Sequence, residues 1–110
     1  MHNMVCIIGR LCDNVEIIKD GDKDMTIIKM AVQRDYKNED GIYETDFIDV
    51  VLYNMLAEHT AEYCRKGDLV GVKGRIQNMM VDDNLKTYVV ADRISFLSSA
   101  KSEHEEKEDE

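Results

Sequence analysis

One segment in the middle of the chain constrains the fold more than any other. It reads as a strand over residues 45–53, a helix from Asn54 to about Lys66, a glycine at position 67, and a strand that begins at Leu69. Asn54 can cap the helix through its side-chain oxygen, and Gly67 suits the left-handed conformation at which many helices end. A small barrel with a helix across one end needs this order of elements.

Three further runs have the alternation of apolar and polar side chains that is typical of strands. They cover residues 4–19, as one long strand that is bent or broken between Gly9 and Asn14, and residues 25–34 and 86–97. The strand that begins at Leu69 continues to Met80. The total is five strands, with the helix between the third and the fourth. This order predicts an all-β fold, the five-stranded Greek-key barrel called the OB-fold.

The 110 residues are enough for one domain with a single core. We expect this domain over residues 1–97. Residues 98–110 have almost no apolar side chains, so we expect them to form a disordered acidic tail. No apolar run is long enough to span a membrane, and the N-terminus has no signal-peptide pattern, so we expect a cytoplasmic protein.

The three cysteines, Cys6, Cys12 and Cys64, form no Cys-x-x-Cys pair. Cys6 and Cys12 fall in a strand pattern, and Cys64 falls on the predicted helix. We therefore expect free, buried thiols rather than a metal site or a disulfide framework.

The net charge of −9 is unfavourable for a protein that binds nucleic acid. The tail contains six acidic residues and two lysines, and the rest of the chain contains 17 acidic and 12 basic residues. The domain is therefore acidic even without its tail. Any binding of nucleic acid must depend on a local basic face.

The residues that could carry out catalysis do not cluster. The histidines His2, His59 and His104 fall at the N-terminus, on the helix and in the tail, away from any cysteine or serine nucleophile. No glycine-rich phosphate loop is present. The sequence therefore predicts a protein that is not an enzyme and that has no metal or cofactor.

Three aromatic residues favour a binding function. Phe47 and Tyr53 are six residues apart on one predicted strand, which places them on the same face, and Tyr36 stands where the preceding strand ends. Binding of single-stranded nucleic acid needs aromatic rings on which bases stack and cations along the phosphate path. For any one of these rings taken alone, a place in the core or in a cross-strand pair is the more common role.

The chain resembles the bacterial single-stranded DNA-binding protein family over about residues 4–97. The matching strings occur in the order of the family: residues 8–11 (IGRL), 31–32 (AV) followed by Tyr36, 46–53 (DFIDVVLY), 63–67 (YCRKG), 70–77 (VGVKGRIQ) and 89–92 (VVAD) with 96–97 (FL). Each string is weak alone, and the set with its spacing is specific.

The resemblance implies a protein without enzymatic activity that coats single-stranded DNA during replication, recombination and repair. It matches Tyr36, Phe47 and Tyr53 to positions at which bases stack. Members of the family are usually homotetramers whose first strands pair across subunits. Five basic residues are expected along the DNA path, although an ordinary solvated charge is an equally good interpretation of each one: Arg10, Lys29, Arg34, Lys73 and Arg75.

Three departures from the family pattern keep a second interpretation open. Residues 78–81 (NMMV) stand where the family usually has basic residues and another aromatic, and the hairpin over residues 81–87 looks several residues shorter than usual. The tail lacks the usual tip with a proline and a phenylalanine, which recruits replication and repair proteins. The alternative is an OB-fold protein-interaction subunit similar to the small primosomal replication protein, dimeric and with weak DNA binding.

Overall fold

The structure, a computed structural model, describes residues 1–100. It contains six strands and one helix: β1 (Val5–Leu11), β2 (Ile18–Asp20), β3 (Lys23–Lys37), β4 (Tyr43–Tyr53), α1 (Asn54–Tyr63), β5 (Leu69–Val81) and β6 (Asn84–Ser98). Strands β1 and β2 are the two halves of the predicted first strand. Residues 12–17 separate them, so the interruption begins within the stretch where the break was expected, residues 9–14, and extends three residues beyond it.

The strands form one sheet in the order β1-β5-β6-β4-β3-β2, which closes because β1 also pairs with β3. The closure occurs at Arg10, which lies opposite Leu69 of β5 and Ala31 of β3. Neighbouring strands pair antiparallel, except that β4 and β6 run parallel where Val50 lies opposite Val89. With β1 and β2 counted as one bent strand, this is the closed five-stranded OB-fold barrel, and the predicted fold is confirmed.

Alternate residues of the strands fill the barrel. The core cluster contains Ile28 and Met30 of β3, Val50 and Leu52 of β4, and Val70 and Val72 of β5, with Ala57 of α1 across one end of the barrel. Ile48 is half-buried and packs against this cluster. The predicted assignment of Ile48, Val50 and Leu52 to the core is therefore confirmed.

The N-terminus of α1 differs from the prediction. Asn54 has a positive φ of 54°, so it cannot serve as the extended residue that caps a helix. The N-cap position is instead taken by Tyr53, and no side chain caps the helix there.

The C-terminus of α1 comes three residues earlier than predicted, at Tyr63, because the backbone of Cys64 is extended. The side chain of Arg65 donates hydrogen bonds to the carbonyl groups of Ala61 and Glu62, and thereby satisfies acceptors that the last turn leaves free. Gly67 has the predicted left-handed conformation, with φ of 89°, in the turn that follows.

Two glycines allow strands to approach closely. A Cβ atom on Gly9 would lie 2.4 Å from the carbonyl oxygen of Ala31, where β1 leaves β5 and meets β3. A Cβ atom on Gly74 would lie 2.1 Å from the carbonyl oxygen of Val90, at a register shift between β5 and β6. Gly9 stands at the start of the stretch in which the sequence predicts a bend or break of the first strand.

The hairpin between β5 and β6 is tight. Val81 lies opposite Asn84, and only Asp82 and Asp83 connect the two strands. Both have positive φ angles, of 50° and 66°, as a two-residue hairpin turn of type I′ requires. Aspartate tolerates this conformation better than most residues with a side chain.

Residues 98–100 are ordered by contacts with the barrel, so the predicted disorder is wrong for them. Ser98 is the last residue of β6, and the N–H group of Ala100 donates a hydrogen bond to Oδ1 of Asp68 over 3.4 Å. The remainder of the predicted tail, residues 101–110, lies outside the described residues.

All three cysteines are free, as expected, but only Cys64 is buried. Cys12 is half-buried and Cys6 is exposed on β1, so the prediction of buried thiols is wrong for Cys6. Cys64 lies directly after α1 rather than on it. Within residues 1–100, His, Cys, Asp and Glu form no group that could hold a metal ion, and no helix is long and apolar enough to cross a membrane.

Candidate nucleic-acid interface

The side of β3, β4, β6 and β5 that faces away from the barrel core, here called the outer face, carries most of the predicted site. Residues that lie opposite each other on neighbouring strands point to the same side of a sheet. Phe47 lies opposite Ala31, Tyr53 opposite Met25, and Lys29 opposite Asp49. Val51 of the same face lies opposite Val90, and Val90 lies opposite Arg75. Phe47, Tyr53, Lys29 and Arg75 therefore share the outer face.

Phe47 and Tyr53 differ in how open their rings are. Phe47 is 63% exposed, and the small side chain of Ala31 beside it leaves room above the sheet. Tyr53 is half-buried and packs against a group of apolar residues, and the Nζ atom of Lys23 lies 5.9 Å from the centroid of its ring. The ring of Phe47 is thus the more accessible platform for a base.

A second apolar cluster, here called the outer cluster, lies on this face. Its buried members are Val51, Tyr88 and Val90, and the half-buried residues Met25, Tyr53 and Met79 pack against them. Met79 belongs to the segment that departs from the family pattern, and it contributes apolar contact in place of an aromatic ring. The outer cluster covers the part of the outer face next to Tyr53 and leaves the part next to Phe47 open.

Sequence reasoning missed Asp49, Lys86 and Tyr88 as members of this face. Lys86 and Tyr88 alternate with the core residues of β6, so the period of two could have placed them here together with Val90. The Nζ atom of Lys86 lies 5.1 Å from the centroid of the Tyr88 ring. Tyr88 itself is only 6% exposed, so its ring serves packing rather than stacking with a ligand.

Three cations of the outer face, Lys29, Lys86 and Arg75, are paired with carboxylates. Lys29 and Lys86 lie 4.0 Å and 3.3 Å from the two carboxylate oxygens of Asp49. Arg75 donates a hydrogen bond of 3.0 Å to Asp92. The hydrogen bond with Asp49 raises the pKa of Lys86, with the tyrosine nearby as a further contribution.

Tyr36 and Arg34 lie on a different surface from Phe47. They line a groove of about 500 Å³ together with Asp46 and residues of β1, among them Cys6 and Ile8. Tyr36 is 64% exposed near the end of β3, and Tyr43 lies opposite Lys37 across the same hairpin. The structure therefore does not bring the three predicted aromatic residues together on one face.

Arg34 is held by acidic neighbours. Its Nε and Nη2 atoms donate hydrogen bonds of 3.0 Å and 2.9 Å to the two carboxylate oxygens of Asp46, and its Nη1 atom donates to Glu44. The paired hydrogen bonds raise the pKa of Arg34 and lower the pKa of Asp46. A DNA phosphate would have to compete with both carboxylates for this guanidinium group.

The last two predicted cations, Lys73 and Arg10, also face away from the barrel core. Lys73 lies two positions before Arg75 on β5, and Arg10 lies opposite Ala31, the neighbour of Phe47 on β3. Lys73 is exposed and lies between Cys6 of β1 and Arg93 of β6. Arg10 is half-buried, and its Nη1 atom donates a hydrogen bond of 3.0 Å to the carbonyl oxygen of Gly67, which secures the turn before β5.

This chain is similar to known proteins over nearly the whole length of the barrel. A model described as the single-strand binding protein family matches residues 2–97, which is nearly the whole barrel. The chain is 35% identical to single-stranded DNA-binding protein B of Bacillus subtilis (strain 168) over 103 residues, 88% of this chain and 91% of that protein. It is 37% identical to single-stranded DNA-binding protein 2 of Streptococcus agalactiae serotype III over 93 residues, 84% of this chain and 71% of that protein.

A further relative is longer than this chain. The single-stranded DNA-binding protein of Streptococcus mutans serotype c is 33% identical over 105 residues, 90% of this chain and 64% of that protein. The family match extends over residues 2–97, and each of these relatives matches more than four-fifths of the chain. The chain therefore belongs to the single-strand binding protein family.

Proposed function

We propose that this protein binds single-stranded DNA without marked sequence preference, as a binding protein rather than an enzyme, during DNA replication, recombination and repair. Membership of the single-strand binding protein family supports this function. The observation that links the proposal to particular residues is the exposed ring of Phe47 on the outer face. Lys29 lies two positions from Ala31, which is opposite Phe47, and Arg75 is on the same face.

The proposed mechanism uses stacking for affinity and cations for the backbone. A base stacks on Phe47, which every base can do because each has a π face, so the contact is insensitive to sequence. The sugar-phosphate chain runs beside the ring, within reach of Lys29 and Arg75. A duplex keeps its bases stacked inside the helix and cannot offer them to Phe47, so single strands are preferred.

Fluorescence anisotropy with labelled oligo-dT and with a duplex of equal length tests this function. We expect binding of the single strand at low salt, weaker binding of the duplex, and a loss of affinity as salt rises, since lysine and arginine displace the counterions of DNA. Equal affinity for the two forms of DNA at low salt would contradict the proposal.

The acidic surface favours one second candidate, an OB-fold subunit that serves mainly protein assembly and binds DNA weakly. Its supporting observation is the pairing of Lys29, Lys86 and Arg75 with carboxylates on the outer face. No measurable binding of oligo-dT at low salt, by a folded protein, would favour this candidate over the first.

We also propose that the protein is a cytoplasmic homo-oligomer, a tetramer, with a dimer as the alternative. Residues 5–9 of β1 pair with β5 on one side only, and Ile8 is 61% exposed beside this unpaired strand edge. An exposed strand edge with apolar side chains is a natural place for pairing with a second copy. Light scattering at micromolar concentration should give a mass well above the 12.7 kDa of one chain, and a monomer would exclude this assembly.

A further inference from the structure

Asp49 occupies the centre of the outer face, between the open ring of Phe47 and the buried Val51 on the same strand. Its side chain is 23% exposed, whereas the side chains of Lys29 and Lys86 are 51% and 53% exposed. Lys29 reaches Asp49 from β3 and Lys86 reaches it from β6, each toward a different carboxylate oxygen. One carboxylate thus holds two cations from two different strands.

The position of Asp49 works against a polyanion. A phosphate that follows a base stacked on Phe47 passes close to the residue two positions along β4, and the side chain there is negative. The same carboxylate also occupies the ammonium groups that would otherwise face the phosphate. Both effects reduce the attraction between the outer face and DNA.

The ion pairs of Asp49 with Lys29 and Lys86 can be exchanged for contacts with phosphate, because they have little structural role. Both lysine side chains remain half-exposed, and exposed ion pairs of this kind contribute little to stability. Each lysine has a flexible stem, so its ammonium group can turn from the carboxylate to a phosphate without any movement of the strands.

We propose that Asp49 is an internal counter-ion that sets the affinity of the outer face for single-stranded DNA: it holds Lys29 and Lys86, and DNA phosphates must displace it to engage them. This inference rests on the proposed function, because it concerns the same surface. It makes Asp49 an affinity-determining residue whose removal strengthens binding.

The test compares Asp49→Asn with the wild-type protein by anisotropy with oligo-dT at about 50 mM and about 200 mM salt. We expect Asp49→Asn to bind about three- to tenfold more tightly at the lower salt concentration. The slope of log K against log salt should become steeper by about 0.7 for each additional phosphate that a released lysine neutralises, up to about 1.4 for the two lysines. A thermal melt confirms that the variant is folded, and Asp49→Ser serves if the asparagine variant is not.

Glu62→Gln is the matched control, since it removes one negative charge from α1 at an exposed position away from the outer face. It should change affinity by less than about twofold. A second comparison adds Lys29→Met and Lys86→Met to Asp49→Asn. The reference for this comparison is the protein with Lys29→Met and Lys86→Met alone. Relative to it, Asp49→Asn should increase affinity much less than it does in the wild-type protein, because only the direct repulsion of phosphate by Asp49 is then removed.

The outcomes separate this inference from the proposed function. If the wild-type protein fails to bind oligo-dT at low salt, the proposed function falls, and this inference falls with it. If the wild-type protein binds but Asp49→Asn behaves like Glu62→Gln, only the inference is overturned. An increase in affinity of the same size in the protein that lacks the two lysines would also overturn it, since Asp49 would then act by direct repulsion alone.

Discussion

Phe47 and Tyr53 of β4 show what the sequence of a single strand can and cannot predict. The even spacing of Phe47 and Tyr53 correctly predicts that they share a face and that Val50 and Leu52 lie on the other. It cannot predict that Tyr53 is half-buried, because the residues that cover it, such as Tyr88, come from a distant part of the chain. The parity of a strand residue is local information, and its burial is not.

Phe47→Ala should therefore weaken DNA binding with little effect on stability. The lost stacking is worth about 1–3 kcal/mol, or roughly 5- to 150-fold in affinity. Tyr53→Ala should weaken DNA binding and should in addition lower the free energy of unfolding by about 1–3 kcal/mol, because it opens the outer cluster. Oligo-dT titrations and thermal melts of both variants distinguish the two effects.

Phe96→Ala is the matched control, since Phe96 is 52% exposed and lies opposite Val70, far along β6 from Tyr88. It should bind DNA like the wild-type protein. If Phe47→Ala unfolds the barrel, or if it binds DNA as Phe96→Ala does, Phe47 is not a stacking platform.

The ion pair between Arg34 and Asp46 predicts a pH dependence. Because the hydrogen bond from Arg34 lowers the pKa of Asp46 below 3.8, the ionised pair stabilises the fold above that pH. The contribution is lost as pH falls through the lowered pKa and the carboxylate is protonated. An NMR titration should show the Asp46 midpoint below 3.8 in the wild-type protein and close to 3.8 in Arg34→Gln. Equal midpoints in the two proteins would show that Arg34 does not hold this carboxylate in solution.

At the scale of elements, the sequence predicts the strands better than their connections. Period-two alternation identifies β3 to β6, and the break within residues 9–14 anticipates the division into β1 and β2. The sequence pattern places the end of α1 too late. Its last carbonyl groups accept hydrogen bonds from the side chain of Arg65, which lies outside the helix, and this contact cannot be recognised from helical spacing. The parallel pairing of β4 with β6 depends on closure of the whole barrel, which no single segment encodes.

Gly74→Ala should disrupt the pairing of β5 with β6, because its Cβ atom would meet the backbone oxygen of Val90 at 2.1 Å. We expect a loss of about 3 kcal/mol in the free energy of unfolding. Gly71→Ala is the control on the same strand, since its Cβ atom would make an ordinary contact of 3.7 Å with Leu97. Urea denaturation measures the free energy of unfolding of both variants. Equal losses would mean that the close approach of the strands is not what requires a glycine at position 74.

At the scale of the whole molecule, the sequence predicts an acidic protein that needs a local basic face. The structure shows why composition alone cannot locate that face. Lys29, Lys73 and Arg75 share the outer face with Phe47, but Lys29 and Arg75, like Arg34, are paired with carboxylates. Which carboxylate meets which cation depends on cross-strand register. The balance between DNA and the protein's own acidic groups is therefore a property of the assembled barrel.

We expect residues 101–110 to extend this competition beyond the barrel. They contain six acidic residues and two lysines, and they follow Ala100, whose N–H group donates to Asp68 beside the turn at Gly67. Deletion of residues 101–110 should tighten binding of oligo-dT by roughly two- to fivefold at low salt, because a nearby polyanion no longer competes for the cations of the barrel. The increase in affinity should shrink at high salt as screening increases. A chain in which the six acids are replaced by glutamine or asparagine separates charge from bulk and should behave like the deletion. Unchanged affinity of both variants at low salt would show that this segment does not approach the DNA-binding surface.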